Sequence, residues 1–354
     1  GSTPEAAAKE VYKRLLAPVR RATGTGPTLF VVPDGALSLI PFDALHDGID
    51  YLLGRYRFHY LTSGRDLLRE PSRRAPELPL ILANPDFGRH EAGEMSDEHG
   101  LSLQLTALQR LPGSQKEAEQ LGLLLGVEPL VGASATEEAL RRRRAPRILH
   151  LATHGLLLQD AVVVGQGIRS SLLLANPTSM AQKEDQVAEW MPGTSRVMNR
   201  SALVLAGALN GPRDAGPTED GLLTADEVRS LDLEGSQLVV LATCESGLGK
   251  ISAGQGVYGL RRAFLLAGAE TLVTSLWRVH DEATGELMIL YYQRLLDGKN
   301  PGDRLEAMIN AMQELRSRPG RSHPYYWAPF IVVGQDGPLR ATGDSGGPRR
   351  PSGR

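Results

Sequence analysis

Short apolar runs that are typical of buried strands alternate with helix-like segments along most of this chain. Such alternation predicts α/β layers, in which helices cover both faces of a mainly parallel sheet. In sheets of this kind chemistry sits at the carboxyl ends of the strands, so those ends are where function should be sought. The strand-like runs are 28–32, 55–61, 78–87, 147–153, 201–208, 236–244, 270–277 and 325–334.

Capping and stop signals mark the helices between these runs. Ser114, with a glutamate three residues later, is predicted to cap a helix that Gly126 ends. Pro18 is predicted to limit the first helix, which covers Ala6–Leu16. Further helices are predicted at 134–143 with Ser134 or Thr136 as cap, at 222–231 with Thr224 as cap, at 257–269 with Gly268 as stop, at 281–296 and at 301–316.

Charge and cysteine content exclude several classes of protein. The formal net charge is −2 over 354 residues, so no overall basic field favours nucleic acid, and we interpret the Arg141–Arg144 run as the solvated end of a helix. No apolar run of about 18 residues predicts a membrane span. One cysteine and the lack of a secretory pattern favour a reducing cytoplasm. The leading Gly-Ser is typical of an expression scar, which would make the chain a piece of a longer protein.

The single cysteine of the chain, Cys244, stands where a predicted strand ends. The run RILHLATHG ends in the same way, with Ala-Thr followed by a reactive residue, His154. Neighbouring parallel strands would bring both ends to one crevice, where an imidazole lowers the pKa of a thiol or takes its proton. The backbone N–H groups of Gly155 and Cys244 would then form an oxyanion hole. On spacing alone, a buried structural thiol and a satisfied loop histidine are an open alternative.

Three other patterns near these residues are typical of other chemistry, and each fits its motif poorly. Gly254–Gly259 reads GQGVYG, a dinucleotide fingerprint, but it begins about ten residues after the strand ends. His150 and His154 have the spacing of two metal ligands on a helix, yet on a strand they would lie about 13 Å apart. We therefore predict no metal site and interpret His150 as a core residue. Ser246 lacks the G-x-S-x-G elbow of a serine nucleophile, and we interpret it as shaping the loop.

Longer motifs are spread over most of the chain: GALSLIPFDAL, YLLGRYRFHYLTS, LPGSQKEAEQL, GASATEEAL, ILHLATHG, GLLTADEVRSLDLEGSQLVVLATCESGLG, GVYGLRRAFLLAGAETLVTSLWRVHDEAT and HPYYWAPFIVVG. Together they resemble the CHAT family, caspase-like domains often found with TPR repeats and related to separases, caspases and other clan CD cysteine peptidases. On that resemblance His154 matches the catalytic histidine and Cys244 the nucleophile. It also implies a caspase-like fold, with a degenerate N-terminal half at 1–135 packed on a catalytic half at 136–335. The Gly/Pro/Ser/Arg composition of 336–354 predicts a disordered tail.

A carboxylate just after the segment ETLVTSLW is a candidate floor for a specificity pocket. Asp281, with Glu282 beside it and Trp277 lining the groove, would select a basic P1 side chain. The alternatives are an N-cap role for Asp281 and a core position for Trp277. The family often has two acids where this chain has His280-Asp281, and an acid at the position of Gln255. Neither difference touches the Cys–His pair.

The expected function is therefore that of a cysteine endopeptidase, which cleaves a protein substrate with a Cys–His dyad and uses no metal or organic cofactor. The resemblance implies a regulated bacterial signalling or defence protease, with an activating partner or a TPR-type region outside this chain. Polar loops at 88–100 and 176–200 are predicted to gate the crevice. The alternative is a caspase-fold module that binds partners without turnover. No direct contact with nucleic acid or a membrane is expected.

Overall fold

A computed structural model describes residues 3–23, 26–88, 108–157, 201–210, 219–245, 253–277, 279–297 and 302–340. The strands in these ranges are β1 Thr28–Val31, β2 Arg57–Tyr60, β3 Leu80–Pro85, β4 Leu130–Gly132, β5 Ile148–Ala152, β6 His154–Leu157, β7 Ser201–Val204, β8 Leu222–Thr224, β9 Leu238–Leu241, β10 Cys244–Glu245, β11 Thr271–Ser275 and β12 Phe330–Gly334. The α-helices are α1 Pro4–Thr23, α2 Pro112–Leu125, α3 Glu137–Arg141, α4 Ala225–Arg229, α5 Ala253–Leu266, α6 Asp281–Leu295, α7 Arg304–Ser317 and α8 Pro324–Trp327. Short 3-10 helices cover Gly35–Leu39, Phe42–Ala44 and Gly64–Leu68.

One large sheet organises the molecule, with the strand order β1-β2-β12-β11-β9-β5-β3-β4. Neighbouring strands are parallel everywhere except between β11 and β12, which are antiparallel. Helices lie in the sequence between most of these strands, as parallel connections require. The predicted fold class, α/β layers around a mainly parallel sheet, is confirmed.

The central strands are buried on both faces, which explains why their sequences are continuously apolar rather than alternating. In β5, Leu149 and Leu151 pack in the same cluster as apolar residues of α4 and α5. Ile148 and Ala152, on the opposite face, pack in the same cluster as apolar residues of α2, α6 and α7. Two layers of helices therefore hold the central strands in place and direct their carboxyl ends.

A smaller sheet, in the order β10-β6-β7-β8, follows the ends of the central strands. Its strands β10 and β6 are parallel, whereas β6 with β7 and β7 with β8 are antiparallel. Leu156, Ala202, Val204 and Leu222 of this sheet form a separate apolar cluster with Phe87. The small sheet therefore has a core of its own beside the large one.

The helix ends confirm some of the predicted caps and correct others. Thr136 and Thr224 cap α3 and α4, and Gly126 ends α2 in the left-handed conformation. The cap predicted at Ser114 is wrong, because α2 begins two residues earlier at Pro112, a residue that suits a first turn since it has no N–H to satisfy. Pro18 does not stop α1, which continues to Thr23.

Several other predictions can be placed on the fold. The GQGVYG glycines fall at the start of α5, inside the helix instead of at a strand end, and that location does not suit a dinucleotide fingerprint. The loops predicted to gate the crevice lie outside the described residues, apart from Gly88. None of the helices in the described ranges has the length and apolar character needed to cross a bilayer.

Candidate active site

The two strand ends singled out in the sequence meet in the fold. Strands β5 and β9 are parallel neighbours in the large sheet, and each continues after a short break into a neighbouring strand of the small sheet, β6 and β10. In that parallel pair Cys244 lies opposite His154, and Glu245 lies opposite Gly155. The prediction that these ends face each other is confirmed for the backbone, although His154 begins a new strand instead of a loop.

Buried hydrogen bonds hold the two breaks between the sheets. The Thr153 hydroxyl donates to the carbonyl oxygen of Val204 in β7. The Ser275 hydroxyl donates to the carbonyl oxygen of Thr243 at 2.8 Å. Both threonines are buried, so these bonds satisfy polar groups that water cannot reach. The Ala-Thr pairs recognised in both strand-end sequences therefore lie at the crossings from the large sheet to the small one.

Residues outside β6 orient the ring of His154. It is 7% exposed, and its Nε2 lies 2.7 Å from the carbonyl oxygen of Gln109. The ring of Phe87 packs against it, with centroids 5.6 Å apart. Because a carbonyl oxygen only accepts hydrogen bonds, Nε2 must carry the proton in this contact. The neutral ring then has its lone pair at Nδ1, and Nδ1 is the nitrogen able to accept a proton.

Sequence reasoning missed Gln109, and no signal in the sequence could have revealed it. Its contribution is a main-chain oxygen, which every residue type carries. What places that oxygen is the segment Gln109–Gly113, which leads into α2. The segment is tied at its far end, where the Gly113 N–H donates to Asp281 Oδ2 at 2.9 Å.

The sequence model of the CHAT domain family matches residues 5–335. The chain belongs to the CHAT domain family. The resemblance noted from the motifs is thereby confirmed over nearly the whole chain.

Curated relatives of this CHAT domain are much longer proteins. Human tetratricopeptide repeat protein 28 is 29% identical over an alignment of 346 residues that covers 93% of this chain and 13% of the human protein. The mouse protein of the same name is 30% identical over 232 residues, 64% of this chain and 9% of the mouse protein. The CHAT domain thus spans a small fraction of the relatives that it matches.

Two solved structures also align with this chain at low sequence identity. The Arg-specific cysteine proteinase gingipain R aligns with a TM-score of 0.48 and 9% identity, over 96% of this chain and 68% of that chain. Separase in the Saccharomyces cerevisiae separase–securin complex aligns with a TM-score of 0.44 and 13% identity, over 93% of this chain and 16% of that chain.

Two of the residues predicted to form a specificity pocket, Asp281 and Glu282, lie in the first turn of α6. Asp281 is the first residue of α6, and the cap is His280, whose ring accepts from the Ala283 N–H. The N-cap role considered for Asp281 is therefore wrong by one residue. Glu282 is 75% exposed at its side chain and lies 3.5 Å from Arg321, an arrangement that contributes little at a surface.

Trp277 is half-buried and packs against both large apolar clusters. Its Nε1–H donates to the carbonyl oxygen of Tyr325 at 3.4 Å. The ring therefore lies partly in the apolar core, and its polar edge has a hydrogen-bond partner.

The first histidine of the H-x-x-x-H pattern, His150, is fully buried on β5. Its Nε2 is 3.0 Å from Glu117 Oε1, and its Nδ1 is 3.2 Å from the Tyr292 hydroxyl. The interpretation of His150 as a core residue is confirmed. The sequence did indicate that its partner Glu117 would be buried, because Glu117 falls on the apolar stripe of α2 beside Ala118.

Proposed function

We propose that this CHAT domain is a cysteine endopeptidase that uses Cys244 as nucleophile and His154 as general base and acid. The observation that carries the proposal is the strand register, which sets Cys244 directly opposite His154. Neighbouring strands lie about 4.8 Å apart, a backbone separation that suits a hydrogen-bonded thiol–imidazole pair. The chain holds one cysteine, and it occurs at this position.

The proposed reaction follows from the orientation of the His154 ring. Nδ1 of His154 takes the proton of the Cys244 thiol, and the thiolate attacks the carbonyl carbon of the scissile peptide. The N–H groups of Gly155 and Cys244 are proposed to hold the oxyanion. His154 then returns the proton to the leaving amine, and an acyl-enzyme forms. Water, deprotonated by His154, releases the acid product and regenerates the thiol.

A peptide library read by mass spectrometry tests the dyad. Cys244→Ala and His154→Ala should each lower cleavage by at least about 1,000-fold, since both groups act in one chemical unit. His323→Ala is the matched control, because that exposed histidine lies at the start of α8. Full cleavage by Cys244→Ala would contradict the mechanism.

We further propose that Asp281 selects a basic P1 side chain, with Trp277 at the wall and Glu282 at the rim of the pocket. Asp281 touches Gly113, four residues from the Gln109 carbonyl that contacts His154. Four residues span at most about 14 Å, so the two contacts connect Asp281 to the dyad through one short segment. We expect cleavage after Arg and Lys, and a loss of about 10- to 100-fold in kcat/KM for those peptides in Asp281→Asn. A preference for apolar P1 residues in the unmodified protein would contradict the pocket.

Regulation by a partner or by a TPR-type region is part of the same proposal. Its support is that the curated relatives are named as tetratricopeptide repeat proteins and are far longer than this chain. A role in bacterial signalling or defence rests on the family resemblance. The rival function is a caspase-fold module that only binds partners. Partner binding without cleavage of any peptide or protein, with or without the candidate partner present, would favour that module.

A further inference from the structure

We infer that Asn84 and Asp281 are positioning residues of the dyad, which act by holding the Gln109 carbonyl against His154. The inference rests on the proposed function, because it concerns how the general base is kept in its working tautomer. Neither residue is argued to touch the reacting atoms. Each holds one backbone N–H of the short segment that follows the Gln109 carbonyl, Asn84 at Leu111 and Asp281 at Gly113.

Asn84 occupies an unusual place at the carboxyl end of β3. The register between β3 and β4 shifts around this residue, and its φ is +43°. Positive φ is uncommon for a residue with a side chain, although asparagine tolerates it better than most. A bulge of this kind redirects a side chain out of its usual alternation. Asn84 is buried, so the redirected amide needs internal partners.

The redirected amide of Asn84 finds those partners at the start of α2. Its Oδ1 accepts from the Leu111 N–H at 2.9 Å, and its Nδ2 donates to Gln115 Oε1 at 3.0 Å. The Arg110 guanidinium donates to the Asn84 main-chain carbonyl at 3.4 Å. The backbone of Leu111, two residues beyond Gln109, is therefore fixed to a buried point of the large sheet.

Asp281 fixes the same segment from a different element. Its Oδ2 accepts from the Gly113 N–H at 2.9 Å, one of the first-turn groups of α2 that have no partner inside the helix. The approach depends on glycine, because a Cβ at position 113 would stand 2.1 Å from Asp281 Oδ2. A side chain at Gly113 would displace the short carboxylate, so the hydrogen bond between Gly113 and Asp281 requires glycine at position 113.

The consequence concerns the charge state of the dyad. With Leu111 and Gly113 both held, the Gln109 carbonyl stays 2.7 Å from His154 Nε2. A carbonyl at that position stabilises the imidazolium form, which in turn favours the thiolate of Cys244. Without either tie the carbonyl is free to move away, and the thiolate population at mildly acid pH falls.

Alkylation of the single cysteine as a function of pH tests this inference without any substrate. Iodoacetamide is small and neutral, so its rate reports the Cys244 thiolate and not the P1 pocket. In the unmodified chain we expect an apparent pKa below the usual value of about 8.5, and in His154→Ala a return towards that value. Asn84→Ala and Asp281→Ala should raise the apparent pKa by about one unit, which is about tenfold slower alkylation at pH 6.5.

Matched variants separate positioning from stability and from charge. Asp281→Asn retains an acceptor oxygen for the Gly113 N–H, so its alkylation profile should match that of the unmodified chain even if it loses basic-P1 preference. Gln115→Ala removes one bond to Asn84 without touching the Leu111 tie, and its profile should also be unchanged. The melting temperature of each variant is measured alongside, and the Asp281 variants decide the matter if Asn84→Ala does not fold.

Each outcome decides one statement. Shifted profiles in the two alanine variants, with normal profiles in Asp281→Asn and Gln115→Ala, support the inference. Unshifted profiles in folded Asn84→Ala and Asp281→Ala overturn it, and they leave the proposed dyad standing if His154→Ala is shifted. An unshifted profile in His154→Ala overturns the proposed function itself.

Discussion

Asp43 is a carboxyl group that folding places in an unfavourable environment. It is buried in the 3-10 helix Phe42–Ala44, and its Oδ1 has no hydrogen-bond partner among the described residues. Burial raises its pKa to about 7, and a hydrogen bond from its own backbone N–H acts in the opposite direction. The buried hydroxyl of Tyr60 interacts with this carboxyl group and with the guanidinium of Arg261. Since the unfolded chain has a pKa near 3.9, the native state holds the extra proton between about pH 4 and pH 7.

The sign of the resulting pH dependence follows directly. Where the native state binds more protons than the unfolded state, the free energy of unfolding falls as pH rises. We expect Asp43→Asn, which mimics the protonated form, to raise the free energy of unfolding at pH 8 by on the order of 1–3 kcal/mol and to leave it nearly unchanged at pH 4. Urea unfolding at pH 4, 6 and 8 measures the difference.

A control of opposite sign is available. The hydrogen bond from Arg74 lowers the pKa of Asp232, so Asp232→Asn should lose a little stability at pH 8 and none at low pH. If Asp43→Asn were less stable than the unmodified chain at pH 8, ionisation of the buried Asp43 would not lower the free energy of unfolding.

At the scale of elements, the end of α2 shows how one glycine sets a helix boundary. Gly126 has a φ of +67°, and its N–H donates to the Gly122 carbonyl. A Cβ at Gly126 would meet no atom within 4 Å, so backbone conformation is the whole cost of a side chain there. Gly126→Ala should lower the free energy of unfolding by about 1 kcal/mol. Chemical denaturation measures it, and cleavage activity should not change.

The comparison variant for Gly126 is Gly64→Ala. Gly64 also has open space around its missing Cβ, but its φ is not positive. Removing a glycine at such a site restricts the unfolded chain, so we expect no loss of stability and a gain of up to about 1 kcal/mol. Equal losses in both variants would show that loss of glycine itself, and not the left-handed conformation, is what matters.

The sequence allowed the long elements to be predicted, but not the short ones that complete the site. Runs such as those of β5 and β9 are recognisable because each of their residues is buried. Strand β10 has two residues, and it is a strand only because β6 lies beside it, a pairing across 90 positions that no local pattern encodes. The Cys244–His154 juxtaposition could be expected because the two strand ends have similar sequences. The contact of Gln109 with His154 and that of Asn84 with Leu111 join residues far apart in the sequence, and no sequence pattern indicates them.

The beginnings of α2 and α6 were predicted wrongly for a physical reason. Ser114 and Asp281 belong to residue types that cap helices, yet the N-cap residues are Leu111 and His280. Tertiary contacts that the local sequence does not indicate form at these helix starts, such as the bond from Gly113 to Asp281. Glycine stops such as Gly126 are less ambiguous, because few other residues adopt a left-handed conformation.

At the scale of the whole molecule, the two predicted halves share one sheet. Strands β1 and β2 from residues 1–135 form one edge, and β3 and β4 from the same residues form the other. The strands between them, β12, β11, β9 and β5, all come from residues 136–335. A boundary near 135 therefore divides the sequence without dividing the sheet.

Contacts at the edges strengthen this interleaving. Arg57 on β2 lies 3.0 Å from Asp336, and Arg69 donates to the carbonyl oxygens of Gly268 and Ala269 at 2.9 Å. Asp336 lies in the segment predicted to begin the tail, of which residues 336–340 are described and 341–354 lie outside the described residues.

The topology predicts that the first half does not fold by itself. In a fragment of residues 1–135 the pairs β1–β2 and β3–β4 would have no strand between them, and two-stranded pairs are at best marginally stable in water. We expect this fragment to show little near-UV circular dichroism and no cooperative unfolding, and to gain both when it is mixed with residues 136–354. The intact chain serves as the reference for both signals. Cooperative unfolding of the isolated fragment would show that the N-terminal half has a core of its own, and the boundary at 135 would then be a true domain boundary.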